Sequence, residues 1–289
     1  MQIIREVAAL REAVAALKAQ GGGVGLVPTM GALHAGHMAL VAEARRHARH
    51  LVASIFVNPL QFGAGEDLST YPRREASDAR MLEEEGVAIL WAPDAAAMYR
   101  QGFATTISVA GVSQGLCGAA RPGHFDGVAT VVAKLLNQVQ PDVAVFGEKD
   151  YQQLAVIRRM VEDLDLPVRV LGVPTQRDAD GLALSSRNAY LTDEERRAAR
   201  TLPRALGEAA QAIAAGGDVG EALERARGRL AAAGFDPIDY VTLCEAGSLQ
   251  EVSSLSGPGR ILAAARIGQT RLIDNLPVNV DQAKGSPQH

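Results

Sequence analysis

Two histidines, His34 and His37, form the most distinctive chemical feature of the sequence. They belong to an HxGH motif that follows an apolar run, Val24 to Val27, and precedes an amphipathic stretch beginning at Met38. This order predicts a strand, a tight loop and the start of a helix. Imidazoles at a helix N-terminus lie beside backbone N–H groups and the positive end of the helix dipole, a combination that suits polyphosphate. The motif therefore predicts nucleotide chemistry.

Two other interpretations of this pair remain open. The histidines could be surface or capping residues with no shared task. A metal site is the weakest interpretation, because a catalytic zinc needs three protein ligands and the sequence has no HExxH motif or nearby Cys/His partner. His47 and His50 repeat the spacing among arginines, which is typical of a solvated helix face.

Two more polar segments follow predicted strands. Residues 58–63 follow the strand 51–57, and residues 147–150 follow the strand 143–146. In the second segment Lys149 can act as a point charge on phosphate, and an acidic neighbour can receive a ribose hydroxyl or Mg²⁺. The alternative is a charged turn. Because ligands of parallel α/β sheets bind at the carboxyl ends of the strands, we expect the HxGH loop and both segments to converge on one rim.

The predicted elements alternate between strands and helices in the first part of the chain. Further helices are predicted at 7–17, 74–85, 128–139 and 152–163, and further strands at 87–91 and 168–173. This alternation predicts an α/β fold with a Rossmann-like, doubly wound parallel sheet.

The composition of the chain changes after Pro174. A polar, turn-rich segment, a capped helix start at 192–195 and two Ala-rich helices at 194–215 and 219–233 follow. Strands at 240–244 and 260–266 complete a smaller α+β domain. We therefore expect domains at 1–176 and 177–289, and we expect the polar end 282–289 to lack a fixed structure.

Composition and motifs argue against several classes of function. The chain has 289 residues, a formal net charge of -4 and only 4% aromatic residues, which argues against long nucleic acid and anionic membranes as partners. The first twenty residues hold no apolar signal segment, and no apolar run approaches the ~20 residues that span a bilayer. The two cysteines are far apart, so we expect a reducing cytoplasmic location. A glycine-rich stretch at 21–25 precedes its strand, and no GxxxxGK[ST] occurs, which disfavours a dehydrogenase or a P-loop kinase.

Five longer segments carry a family resemblance. They are PTMGALHAGH at 28–37, FVNPLQFG at 56–63, RPGHF at 121–125, FGEKDYQQL at 146–154 and DGLALSSRN at 180–188. Together they resemble the pantothenate synthetase family, over nearly the whole chain. HxGH is shared with the wider nucleotidylyltransferase group, whereas NPxQFG and GEKDYQQL are far more specific. The resemblance implies an ATP-dependent, AMP-forming ligase that joins pantoate to beta-alanine through pantoyl adenylate, with Mg²⁺ as cofactor and a homodimeric assembly.

The resemblance also implies an ATP site that draws on both domains. The implied ATP-binding residues are Met30, Gly31, Ala32, Leu33, His34, Ala35, Gly36, His37, Gly147, Glu148, Lys149, Asp150, Gln176, Leu184, Ser185, Ser186 and Arg187. His34, His37 and Lys149 are the implied catalytic residues on phosphate, with His37 as a protonated donor. Asp150 is expected near the ribose, and the second-domain loop is expected to close on the triphosphate.

The same resemblance places Gln61 and Gln153 on pantoate, with Gln61 also bordering beta-alanine. Asp78 is expected to support Mg²⁺ through water, although its segment matches the family poorly. Gln176 stands where the family usually has a smaller apolar residue near adenine, and Leu184 stands where Met is common. If backbone atoms make these contacts with ATP, as the family suggests, neither change affects the activity.

Two rival functions share the expected ATP site. A nucleotidylyltransferase would explain HxGH and the sheet but not the glutamines beside them. A nucleotide-sensing module would bind ATP without turnover. ATP binding alone therefore does not distinguish the three.

Overall fold

The chain divides into two units between Gln176 and Arg177. The computed structural model describes residues 1–279, so the prediction for 282–289 lies outside the described residues. Each unit has its own sheet and its own hydrophobic core.

The first unit, all of which is described, is built on a parallel sheet. Its strands are β1 (Gln2–Ile4), β2 (Val24–Thr29), β3 (His50–Ile55), β4 (Ile89–Trp91), β5 (Val143–Gly147) and β6 (Arg169–Val173). Their order is β1-β4-β3-β2-β5-β6, and every neighbouring pair is parallel. The chain runs outward from β2 in one direction through β3 and β4 and in the other through β5 and β6. The switch point, where such sheets bind ligands, therefore lies between β2 and β5. The predicted Rossmann-like class is confirmed, and the short edge strand β1 is an addition to it.

Helices cover this sheet. They are α1 (Val7–Ala19), α2 (Ala35–His47), α3 (Glu75–Glu84), α4 (Ala95–Met98), α5 (Leu116–Ala120), α6 (His124–Val139) and α7 (Tyr151–Asp163). Val41 of α2 packs with Leu51 and Val143 of the central strands in the core. Helix α6 begins one turn earlier than its apolar pattern predicts, after Gly123 in the left-handed conformation (φ 80). The missed first turn carries the polar residue His124.

The second unit combines helices with an antiparallel sheet. Its elements are α8 (Asp193–Ala199), α9 (Thr201–Ala214), α10 (Val219–Ala232), β7 (Phe235–Glu245), β8 (Gly259–Ile267) and β9 (Thr270–Val278), with strand order β7-β8-β9. The predicted cap at Thr192 is present, but the predicted helix 194–215 is two helices joined at Arg200. Strand β9 was missed because the buried polar residues Asp274 and Asn275 interrupt its apolar pattern. Across residues 1–279, none of the helices combines the length and the apolar character that a membrane crossing requires.

Candidate active site at the switch point of the parallel sheet

The HxGH loop leaves β2 through a sharp backbone turn. Gly31 and Ala32 both have left-handed conformations, with φ 84 and φ 49. A Cβ atom on Gly31 would lie 3.1 Å from Ile55 Cγ2 and 3.2 Å from an oxygen of Asp78, so the space beside the loop suits glycine. The turn brings the histidines to the carboxyl end of the central strand.

The carboxylate of Asp78 holds this loop from the first turn of α3. One oxygen accepts the backbone N–H of Ala32 at 2.8 Å, and the other accepts that of Leu33 at 2.9 Å. Asp78 is only 2% exposed. Because both oxygens accept loop N–H groups, these contacts favour a loop-holding role over the expected support of Mg²⁺. They also engage two N–H groups in the stretch assigned to ATP.

The two imidazoles cap helix α2 reciprocally. His34 Nδ1 accepts the backbone N–H of Gly36 at 3.1 Å, and His37 Nδ1 accepts the backbone N–H of His34 at 3.3 Å. A ring nitrogen that accepts a hydrogen bond carries no proton, so the neutral form of each ring has its proton on Nε2. Both histidines thus keep an Nε2–H donor for a ligand. The Nδ1 atoms therefore cap the helix, as the alternative interpretation expected, and the Nε2–H groups are left to donate to a ligand.

Both rings are held neutral. Burial and then the charge of Lys149 lower the pKa of His34. Burial, His34 and Lys149 lower the pKa of His37 to about 3, against the opposing effect of Asp150. The lowered pKa favours a neutral His37 in the ligand-free protein, whereas the expected protonated donor to bound phosphate stays a prediction. A neutral imidazole still donates a hydrogen bond through Nε2.

The segment after β5 lies beside the HxGH loop. Residues Glu148–Asp150 form a 3₁₀ turn that leads into α7. Lys149 Nζ lies 3.7 Å from an oxygen of Asp150, and the charges of both residues shift the pKa values of His34 and His37. The two motifs thus share one electrostatic environment across the switch point.

The segment after β3 joins the same place through Gln61. A 3₁₀ turn at Pro59–Gln61 lets Gln61 Nε2 donate to Met30 Sδ at 3.1 Å. Asn58 Nδ2 donates to Gln61 Oε1 at 3.1 Å, and Tyr99 donates its hydroxyl hydrogen to Asn58 Oδ1 at 2.7 Å. Asn58 thereby fixes which end of the Gln61 amide faces Met30. The expected convergence of the three segments is confirmed.

Sequence reasoning gave no role to two of these contributors. Asn58 lies within the quoted NPxQFG motif, so its position beside Gln61 was a signal that could have been used. Tyr99 directly follows α4 and lies 41 residues from Asn58 in sequence, and nothing local marks it.

The adjacent glutamines of α7 have different environments. Gln152 is buried, accepts the backbone N–H of Cys117 at 3.0 Å and donates to Val112 O at 3.1 Å. It therefore secures the segment that contains α5. Gln153, the predicted pantoate residue, is half-buried and lies on the same first turn of α7, directly after the 3₁₀ turn that bears Lys149.

The remaining predicted ATP residues lie at and beyond the boundary between the units. Gln176 is exposed and donates to Pro174 O at 2.9 Å. Residues 184–187 belong to the second unit, where Ser185 Oγ accepts the Arg187 N–H at 3.2 Å. The segment before them is secured by Arg177, which donates to Asp274 at 2.7 and 2.8 Å.

The first-unit arrangement suits binding of a triphosphate beside a small carboxylic acid. It offers two imidazole donors, an ammonium group and the N-terminus of α2 for phosphate oxygens. Gln61 adds an oriented amide at the same rim. In the described part of the chain, no group of three or more His, Cys, Asp or Glu side chains is arranged to hold a metal ion.

Comparison with known proteins gives one consistent family. The model of the pantoate-beta-alanine ligase family matches residues 2–277. The chain is 66% identical to the pantothenate synthetase of Rhizorhabdus wittichii, over 96% of this chain and 99% of the relative, and 61% identical to that of Sphingopyxis alaskensis, over 96% and 100%.

Solved structures agree with the sequence relatives. The pantothenate synthetase of Thermus thermophilus superposes with a TM-score of 0.91 at 50% identity, covering 96% of this chain and 99% of that one. The pantoate-beta-alanine ligase of Francisella tularensis, complexed with beta-gamma ATP and beta-alanine, has a TM-score of 0.82 at 34% identity, covering 96% and 97%.

Proposed function

This chain belongs to the pantoate-beta-alanine ligase family, and we propose that its switch-point site condenses pantoate with beta-alanine, converting ATP to AMP and pyrophosphate. The resemblance inferred from the sequence is confirmed at the level of family. One observation supports this function most directly: the Gln61 amide is tied to Met30 of the loop that carries His34 and His37. A carboxylate site and a triphosphate site are thereby adjacent.

The first step is activation of the carboxylate. A carboxylate oxygen of pantoate attacks the α-phosphorus of MgATP, and the bond to the β,γ-pyrophosphate breaks, giving pantoyl adenylate. His34 and His37 donate through Nε2–H to phosphate oxygens, and the Lys149 ammonium offsets the charge that develops on the leaving pyrophosphate. Asp150 receives a ribose hydroxyl. The protein positions the reactants and stabilises charge and forms no covalent bond to substrate.

The second step forms the amide. The neutral amino group of beta-alanine attacks the acyl carbon of the adenylate, AMP leaves and the amine releases a proton. Gln61 and Gln153 hold the pantoyl group, and Gln61 borders the incoming beta-alanine. The beta-alanine bound by the Francisella relative supports an amine site in this family.

Magnesium enters this scheme with the nucleotide. Mg²⁺ at nucleotide sites is commonly held by phosphates and water with one or two carboxylates, which agrees with a chain that offers no ready-made metal cage within residues 1–279. Each oxygen of the buried Asp78 already accepts a backbone N–H group, so this proposal gives Asp78 the loop-holding role and leaves its support of Mg²⁺ through water as a prediction.

The ATP roles that the resemblance implies for Gln176 and residues 184–187 are part of this proposal. Residues 184–187 supply hydroxyl and guanidinium donors to the triphosphate, and Gln176 lies near adenine. The family resemblance supports these roles, and it also supports a homodimer and a cytoplasmic location. Sedimentation of the purified protein measures the assembly state directly.

Isotope exchange tests the function. We expect labelled pyrophosphate to exchange into ATP only when pantoate is present, and AMP and an amide product to form only when beta-alanine is added. Exchange without any carboxylic acid would favour a nucleotidylyltransferase instead. ATP binding with neither exchange nor product in the presence of both substrates would favour a nucleotide sensor.

A further inference from the structure

The RPGHF segment at 121–125 has no role in the steps above, yet it contacts the substrate turn. His124 Nδ1 donates to the backbone carbonyl oxygen of Gln61 at 2.8 Å, and Arg121 Nη2 donates to the same oxygen at 3.2 Å. One peptide carbonyl thus receives two side-chain donors from a segment about 60 residues away. Both donors therefore contact the backbone of the residue that the proposed function assigns to substrate.

The two donors are themselves held in place. Glu66 receives two hydrogen bonds from Arg121, one from Nε at 2.7 Å and one from Nη2, in a forked pair. Arg121 Nη1 donates to His124 Nε2 at 3.0 Å. The side chains of Arg121 and Glu66 are only 19% and 23% exposed. Forked, partly buried pairs of this kind hold their geometry better than exposed single contacts.

The hydrogen bonds also determine the protonation of His124. A carbonyl oxygen only accepts and a guanidinium only donates, so Nδ1 carries the proton and Nε2 does not. Burial and Arg121 lower the pKa of His124 to about 4, which keeps the ring neutral in this tautomer. A protonated ring would direct Nε2–H at the guanidinium.

Helix α6 approaches the substrate turn very closely one turn beyond His124. A Cβ atom at Gly127 would lie 2.3 Å from Leu60 O and 2.7 Å from the backbone nitrogen of Gln61. Gly127 O accepts a hydrogen bond from Asn58 Nδ2 at 3.0 Å. The same face of α6 therefore contacts the turn through a side chain and through bare backbone.

We propose that Glu66, Arg121 and His124 are positioning residues that fix the backbone of Gln61 and thereby place its amide for pantoate and beta-alanine. The proposal rests on the proposed function, which assigns Gln61 to substrate. Asn58 sets the orientation of the amide, whereas this chain of three residues sets the position of the backbone from which it extends. A displacement of about 1 Å in a substrate-positioning group can cost ~10²-fold in rate.

Two substitutions of His124 separate positioning from general stability. In His124→Asn the amide nitrogen lies where Nδ1 lay and keeps the donor to Gln61, whereas His124→Gln moves the amide towards the Nε2 position and removes that donor. We expect His124→Gln to raise the KM for pantoate about 10- to 100-fold, with the KM for ATP near the wild-type value. His124→Asn should restore most of the affinity. His47→Gln, on an exposed helix face, is the matched control.

A double-mutant cycle tests whether His124 acts through Gln61. In a Gln61→Ala background, His124→Gln should add nothing further to the pantoate KM, because the positioned group is absent. Additive effects would overturn the proposal, as would equal pantoate KM values for His124→Gln and the wild type.

Folding and function are controlled separately. If His124→Gln does not fold, Glu66→Gln is the second test, because it weakens the forked pair with Arg121 at a partly exposed position. We expect Glu66→Gln also to raise the KM for pantoate. An unchanged KM for pantoate in this variant would overturn the proposal. A wild-type protein that forms no pantothenate would refute the proposed function. Normal wild-type turnover with unaffected variants would refute only the positioning role.

Discussion

His37 Nδ1 accepts the backbone N–H of His34, and the two imidazole rings lie with their centroids 4.1 Å apart. The contact ties the ring that is most strongly held neutral to the backbone that begins α2. It assigns Nε2 as the only position from which His37 donates to a ligand. In the ligand-free protein His37 is therefore a neutral ring whose proton lies on Nε2.

Substitutions of His37 should depend on which ring nitrogen they mimic. Glutamine places an amide nitrogen near the Nε2 position, and asparagine places one near Nδ1. We expect His37→Ala to lower pantoate-dependent pyrophosphate exchange by ~10²- to 10³-fold, and His37→Gln to retain more activity than His37→Asn. Exchange rates at saturating ATP measure this, with His47→Gln on the same helix as control. Equal rates for the Gln and Asn variants would contradict the assigned tautomer.

Stability should fall as the pH drops below the ordinary histidine range. The pKa of His37 is lowered from 6.5 to about 3 and that of His124 from 6.5 to about 4, so between these values the unfolded chain binds more protons than the folded one. The contribution of these neutral rings to folding stability is fully present above pH 6.5. It is lost as the pH falls towards their pKa values in the folded protein. When the pH falls from 7.5 to 5.5, each of these two histidines should lower the free energy of unfolding by about 1 kcal/mol.

Urea unfolding at these two pH values measures the effect. Over the same pH interval, the free energy of unfolding of the double variant His37→Gln/His124→Asn should fall by about 2 kcal/mol less than that of the wild type. An identical pH dependence in the two proteins would show that these rings do not titrate as described.

Asp78→Asn should loosen the HxGH loop without changing the need for magnesium. An amide offers one acceptor, so either the Ala32 or the Leu33 N–H would face an NH₂ group and lose its partner. We expect a loss of about 1–3 kcal/mol in unfolding free energy and a higher KM for ATP. Glu75→Gln, on the exposed side of the same helix, is the control. A rise in the half-saturating Mg²⁺ concentration for Asp78→Asn alone would support a metal role instead.

Arg177→Ala should destabilise the second unit. The Asp274 side chain is 1% exposed, so removing the guanidinium leaves a buried charge, with an expected cost of about 3–5 kcal/mol. Adding Asp274→Asn should recover part of this cost because it removes the unpaired charge. Chemical unfolding measures both variants, and Arg225→Ala, in an exposed helical pair, should unfold like the wild type. Similar unfolding of the two arginine variants would mean that the buried pair contributes nothing.

The sequence determined the fold class and the rim on which the site lies. Strand and helix periods differ, so alternation along the chain identified the parallel sheet, and parallel strands bring the segments that follow them to one edge. Polar motifs after three strands therefore had to converge. The same reasoning did not predict β9. Its buried polar residues Asp274 and Asn275 interrupt the apolar pattern by which a strand is recognised.

Only the tertiary structure decided how the site residues are held and charged. The carboxylate that braces the HxGH loop lies 46 residues from Ala32, and the imidazole that holds the Gln61 carbonyl lies 63 residues from it. The pKa of His37 is lowered mainly by burial, and Lys149, which is distant in sequence, adds a smaller effect in the same direction. The residue types show which hydrogen bonds and charged states are possible. Burial and long-range contacts decide which of them occur in the folded protein. For that reason the sequence identified the histidines, and the fold determined that in the ligand-free protein both rings are neutral with the proton on Nε2.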